Sequence, residues 1–163
     1  MFKASHSTLI FISGLVWLVI GCILMPLGLN FIVESLLKEN SSAPHPVLNF
    51  LGSITGGLDQ AALILIACSI AIGFFKGRFV FAKSVNRSVN RILSLPNPCS
   101  VFKIYSSAYL LLIAVMVLLG VLVKFLPMDI RGAVDVIVGS ALINGATLFF
   151  RQAWKIKQKK LEV

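Results

Sequence analysis

Charged side chains are scarce in this chain, and their scarcity excludes an ordinary soluble domain. Only 13% of the 163 residues are charged, whereas 58% are hydrophobic. A soluble domain of this size has too little interior to hide so much apolar surface. A single compact unit surrounded by lipid fits this composition.

Sequence motifs for catalysis and metal binding are also missing. The sequence has no glycine-rich phosphate loop, no pair of metal ligands on one helix and no nucleophile elbow. The cysteines, Cys22, Cys68 and Cys99, do not form a disulfide framework, and His6 and His45 are expected on opposite sides of a membrane. We therefore expect no enzymatic activity, no catalytic residue, no metal and no cofactor.

Four long apolar runs dominate what is present, and each predicts a transmembrane helix. They cover residues 9–33, 58–75, 104–126 and 133–150. Each run has about 18–25 residues, enough to cross a hydrocarbon core about 30 Å thick at 1.5 Å per residue. Lipid offers no hydrogen bonds to the backbone, so each run must close its own as a helix. The predicted fold class is all-α, a polytopic membrane protein.

The predicted organisation is one four-helix transmembrane domain over residues 1–160. Its segments are a first span 1–36, an external loop 37–57, a second span 58–77, a cytoplasmic amphipathic helix 78–95, a third span 104–126 and a fourth span 133–151. Residues 161–163 resemble the start of an expression linker, and we expect no functional role for them.

Positive charge lies almost entirely on one side of the predicted spans. Twelve of the fifteen basic residues fall in the N-terminus, in residues 76–103 and in the tail after residue 150, whereas five of the six acids fall on the other side. Lys and Arg are retained on the cytoplasmic side of inserted helices. Both termini should therefore be cytoplasmic, in a multi-pass protein of the plasma (inner) membrane. This distribution explains the net charge of +9 without a nucleic-acid partner.

The second and fourth helices share a pattern that favours an internal duplication. A glycine and an aspartate enter each of them, Gly57 with Asp59 and Gly132 with Asp135, and each ends in Phe-Phe followed by a cation. The two helix pairs would be parallel repeats related by an axis along the membrane normal. The alternative is that membrane helices resemble one another through composition alone.

The fourth helix carries the main candidate for a solute path. Ser140, Asn144 and Thr147 fall on one face at spacings of four and three residues. An Asn inside a membrane needs a partner, so this face should contact protein or water. Hydrogen bonding between helices, which contributes about 0.6 kcal/mol per contact, is the favoured interpretation, and the lining of a solute path is the alternative.

Asp59 and Asp135 stand at the external ends of the second and fourth helices. A carboxylate there interacts favourably with the helix dipole, which is the structural interpretation. Arg131, four residues before Asp135, could form an ion pair with it. Binding of a proton or cation at the outer mouth of a path is the functional alternative.

The first helix has a smooth face. Gly14, Gly21 and Gly28 recur every seven residues, which lets another backbone approach closely. This glycine strip predicts close helix packing. The packing could be within the chain or in an oligomer, and the sequence does not distinguish the two.

A basic stripe follows the second helix. Lys83, Arg87 and Arg91 recur every four residues, while apolar residues recur at helical spacing on another face. This pattern predicts an amphipathic helix that continues from the second helix and lies on lipid headgroups. The stripe is either ordinary positive-inside anchoring or a specific site for anionic headgroups.

Two functions from different classes remain open. The first is a small transporter or channel that moves a solute or ion along the polar face of the fourth helix, assembled as a homo-oligomer because four helices enclose little room. The second is a non-transporting scaffold that binds membrane lipids or a cytoplasmic partner through the basic stripe. A hydrated cavity along Asn144 would favour transport, and dry helix contacts would favour the scaffold.

Overall fold

The computed structural model describes residues 3–37, 45–94, 99–100, 118 and 120–161. Helices form almost all of this part of the chain. The helices are α1 (His6–Leu37), α2 (Pro46–Thr55), α3 (Leu58–Leu93) and α4 (Met128–Leu161). A short antiparallel pairing joins β1 (Lys3–Ala4) to β2 (Cys99–Ser100). The predicted all-α class is confirmed for this part of the chain.

Three of the helices are long and apolar enough to cross a membrane, namely α1, α3 and α4 as far as Gln158. Their 32, 36 and 34 residues correspond to lengths of about 48–54 Å. Each is therefore longer than a hydrocarbon core of about 30 Å. The predicted third span, residues 104–126, lies mostly outside the described residues, so the number of four spans stays a prediction.

α3 contains both the predicted second span and the predicted amphipathic segment, which was expected to continue from that span. The expected second span and the expected amphipathic helix form one uninterrupted helix from Leu58 to Leu93. No proline occurs in this stretch, so backbone hydrogen bonding continues where the hydropathy changes. Val85, Val89 and Ile92 are buried in one cluster with residues of α1 and α4, rather than free to lie on a lipid surface.

α2 occupies half of the segment predicted as an external loop. Pro46 stands in its first turn, where the missing N–H is not needed. Gly56 ends the helix in the left-handed conformation, with φ of 81°, and its N–H donates to the Gly52 carbonyl at 2.9 Å. The turn residues of this segment therefore mark the boundaries of a short helix.

α4 is the central helix of the described bundle. In its apolar stretch 50% of the residues are buried, against 28% in α1 and in α3. α1 packs along α4 in the antiparallel direction, since Gly28 lies against Gly132 and Gly21 against Gly139. The seven-residue spacing is the same on both helices, so the smooth face of α1 matches one on α4. The glycine strip therefore serves packing within the chain.

α3 also packs on α4 and runs parallel to it. Gly77 lies against the backbone of Ala141, and further along both helices the Gln152 Nε2 donates to the Asn86 Oδ1 at 3.2 Å. α3 and α4 therefore begin at the same end of the bundle.

Two apolar clusters fill the bundle, one near each end. The end where α1 begins and α3 and α4 finish is called the basic end here, and its buried cluster is Leu9, Ile10, Trp17, Val85, Val89, Ile92, Leu142, Ala146, Phe149 and Ala153. The opposite end is called the α2 end, and its buried cluster is Ile32, Leu48, Ala61, Ala62, Leu65 and Val136. β1 directly precedes α1, so its pairing with β2 belongs to the basic end.

Candidate functional site

Two of the three residues predicted to line a solute path on α4 are buried in the contact of α4 with α3. Ser140 lies against Gly73 and Asn144 against Gly77, where the glycines leave room for them. The Asn144 Nδ2 donates to the Phe74 carbonyl oxygen at 2.8 Å. The small-residue face of α3 thus packs against the polar face of α4, as is typical of helices packed in membranes. The spacing Gly-x-x-x-Gly at residues 73 and 77 is the sequence signal for this face.

Thr147 does not share this environment. Its side chain is exposed, and its Oγ1 donates to the Asn144 carbonyl oxygen of the same helix at 2.7 Å. The Ser140 Oγ likewise donates within α4, to the Ile137 carbonyl oxygen at 3.1 Å. The three polar residues therefore do not form one continuous lining: two belong to a helix contact and the third faces outward.

The two aspartates predicted at an outer mouth lie in different surroundings. Asp59 is exposed in the first turn of α3, whereas Asp135 is half-buried on α4 beside Gly28 of α1. The Arg131 guanidinium lies over the ring of Phe31, 4.0 Å from its centroid. Arg131 thus makes a cation–π contact that joins α4 to α1.

A third aspartate, which no pattern in the sequence marked as a site, is the most buried acid of the described residues. The Asp129 Oδ2 accepts backbone hydrogen bonds from the N–H groups of Val47 at 2.8 Å and Leu48 at 3.2 Å. Its Oδ1 accepts one from the N–H of Ile130 at 2.8 Å. This carboxylate thus closes the first turns of α2 and α4 together, where both helix dipoles favour negative charge.

Asp129 supplies the acceptor that the N-cap residue of α2 does not. His45 stands at that position, and its side chain makes no capping hydrogen bond. The imidazole is buried, and neither ring nitrogen has a hydrogen-bond partner within the described structure. The position of Asp129 just after Pro127 is typical of a first helical turn, but its partners are 81 and 82 residues away in the chain.

The basic stripe points away from the bundle. Lys83, Arg87 and Arg91 are exposed on α3. Val85 and Val89, from the same turns, are buried in the cluster of the basic end. Since packing against α1 and α4 fixes the apolar face, the helix cannot rotate to bury the cations.

More cations surround the stripe at the basic end. The exposed ones on α3 and α4 are Lys76, Arg78, Arg151, Lys155 and Lys157. No acidic residue follows Asp59 in α3 or Asp135 in α4. Trp154, which is 63% exposed among the cations of α4, is a residue type enriched at membrane interfaces. The described helices therefore present uncompensated positive charge at this end.

Among the described residues, no three His, Cys, Asp or Glu side chains lie close enough together to hold a metal ion. No protein-family model matches the chain, and no curated protein or solved structure matches it either.

Proposed function

We propose that the protein is a four-span membrane scaffold that moves no solute and binds anionic lipid headgroups at its basic end. The observation that carries the proposal is the stripe Lys83, Arg87 and Arg91, which is exposed and regularly spaced on a helix whose opposite face is fixed in the bundle. A Lys or Arg near an anionic membrane surface gains about 1 kcal/mol. Three cations held in a row by one rigid helix can act together on such a surface.

The contacts of α4 support a scaffold rather than a solute path. Ser140 and Asn144 are buried against α3, and the Asn144 amide donates to a backbone carbonyl of that helix. Such bonds contribute about 0.6 kcal/mol each to helix association. A path along α4 would need these side chains to face water, and the exposed Thr147 does not form a path by itself.

The parallel directions of α3 and α4 support an additional membrane crossing between them, at the predicted third span. α3 ends at the basic end with Leu93, and α4 begins at the α2 end with Met128. The intervening chain must return over the whole length of the bundle, and residues 104–126 are the apolar run that predicts a crossing there. In this arrangement α1 and residues 104–126 cross in one direction, and α3 and α4 cross in the other.

Contacts at the basic end support a location of both termini and the basic stripe on the same side of the membrane. The pairing of β1 with β2 brings residues 3–4 beside residues 99–100. The Ser7 Oγ donates to the Ala153 carbonyl oxygen, near the end of α4, at 3.0 Å. The concentration of cations at this end favours the cytoplasmic side for it. The proposed location is the plasma (inner) membrane.

An internal duplication and a homo-oligomer stay predictions. The glycine strip of α1 is covered by α4, so a second copy would have to use another surface. Exposed apolar residues such as Ile23, Leu63 and Phe75 line the outer faces of α1 and α3, where lipid or a second copy would pack.

Neutralising the stripe should weaken the binding of anionic lipid. Short-chain phosphatidylglycerol or phosphatidylcholine is titrated into the full-length protein in uncharged detergent, and binding is measured by calorimetry. We expect the protein to prefer phosphatidylglycerol. The variant Lys83→Gln/Arg87→Gln/Arg91→Gln should bind it roughly 100-fold more weakly, at about 1 kcal/mol per lost cation.

The matched control removes the same charge from the same end of the bundle. Arg151→Gln/Lys155→Gln/Lys157→Gln alters three exposed cations of α4 and leaves the stripe intact. A loss below about tenfold in this control would assign the binding to the stripe, and the remaining binding should weaken with added salt. Equal losses in the two variants, or none in the stripe variant, would contradict a site at the stripe.

A further inference from the structure

α2 divides its surface into three faces of different character. Leu48 is buried in the cluster of the α2 end, so one face packs on protein. Phe50 and Ile54, four residues apart, are 66% and 67% exposed and form an apolar face. Asn49 and Ser53, also four apart, are exposed and form a polar face about 100° away around the helix. A helix that meets protein, hydrocarbon and water at once requires such a division.

The two ends of α2 are held where the spanning helices begin. Its first turn is bonded to Asp129, in the first turn of α4. Its last residue, Thr55, is separated from the first residue of α3 by Gly56 and Gly57 alone. Since α3 and α4 both start at this level, α2 lies across the boundary where the apolar stretches of the bundle begin.

α2 is suited to that boundary and cannot cross the membrane. Its ten residues correspond to about 15 Å, half the thickness of a hydrocarbon core. It contains no charged residue that would have to be removed from water. An uncharged helix can lie in the interface plane with its apolar side about 5–10 Å deep.

We infer that α2 is an interfacial helix whose Phe50 and Ile54 insert into the lipid of the external leaflet. The inference rests on the membrane arrangement proposed above but not on lipid binding by the basic stripe. A second copy of the chain is a poorer occupant, because two side chains offer far less than the roughly 800 Å² per partner of a stable interface. The polar face with Asn49 and Ser53 then points to the external water.

Site-specific fluorescence distinguishes the faces. Single cysteines at positions 49, 50, 53 and 54 are introduced into full-length protein whose native cysteines are replaced by alanine, and each is labelled with bimane. The proteins are reconstituted into phosphatidylcholine vesicles with a doxyl group near the headgroup end of the acyl chain. We expect positions 50 and 54 to be quenched by this lipid at least about threefold more than positions 49 and 53, because they lie about 5–10 Å deeper. Iodide in the water should give the reverse order.

Two results would overturn the inference. Equal iodide quenching at all four positions would place the whole outer surface of α2 in water. Protection of positions 50 and 54 from both quenchers, with energy transfer between labelled copies, would assign the apolar face to a second copy. Neither result would alter lipid binding at the stripe on the other end, so failure here is distinguishable from failure of the proposed function.

Discussion

Replacing Gly21 by leucine should break the packing between α1 and α4 and cost about 3 kcal/mol or more of unfolding free energy. A Cβ at this position would lie 2.8 Å from the Gly139 carbonyl oxygen and 2.8 Å from the Ile143 Cγ1. The first neighbour is backbone and cannot rotate away, so the helices must separate. Unfolding of the purified variant in mild detergent, followed by circular dichroism, measures the loss.

The control for this substitution is Gly120→Leu. Gly120 is exposed, and an added Cβ there meets nothing within 4 Å among the described residues. The residue change is identical, so any effect of hydrophobicity or helix propensity is shared, and we expect stability within about 0.5 kcal/mol of the parent, or slightly higher. Equal destabilisation by the two substitutions would mean that α1 and α4 are not in the close contact described.

Replacing Asp129 by alanine should release the first turn of α2. The Val47 and Leu48 N–H groups would lose their carboxylate acceptor, and Leu48 is buried where water cannot replace it. Hydrogen bonds to a charged group contribute about 1.5–3 kcal/mol, so amide exchange at these residues should accelerate by up to about 100-fold. Hydrogen–deuterium exchange of the full-length protein, read by mass spectrometry over α2, measures the change.

Two further variants separate this role from a general effect of charge. Asp59→Ala removes an exposed acid from the first turn of α3, where only the helix-dipole contribution of about 0.3–1 kcal/mol is lost. Its exchange in α2 should match that of the parent. Asp129→Asn keeps one carbonyl acceptor and should fall between parent and alanine variant. Unchanged exchange of α2 in Asp129→Ala would show that the carboxylate does not hold this helix.

The three long apolar helices could be predicted because the sequence signal for each of them is local. A run of about 18 or more apolar residues has few alternatives to a helix in lipid. The glycine strip on α1 could be predicted for the same reason. The prediction did not decide whether the strip packs within the chain or against a second copy. Gly132 and Gly139 repeat the seven-residue spacing on α4, and that match was the signal for packing within the chain.

The features that were not predicted depend on partners far away in the chain. Asp129 gains its role from α2 amides more than eighty residues away, and no local pattern encodes that distance. α2 itself is a ten-residue helix among turn residues, too short to stand out by periodicity. The end of α3 was expected on lipid because its apolar face is visible in the sequence, whereas the α1 and α4 residues that cover that face are not.

The central claim is that four crossings place the basic end inside the cell and the α2 end outside, with one crossing between α3 and α4. Its most direct test is labelling of single cysteines at positions 59, 87, 124 and 155 in a cysteine-free background, with a maleimide that cannot cross membranes. We expect positions 59 and 124 to react in intact cells and positions 87 and 155 only after permeabilisation. If positions 87 and 124 reacted from the same side, no crossing would separate α3 from α4, and the proposed arrangement would be contradicted.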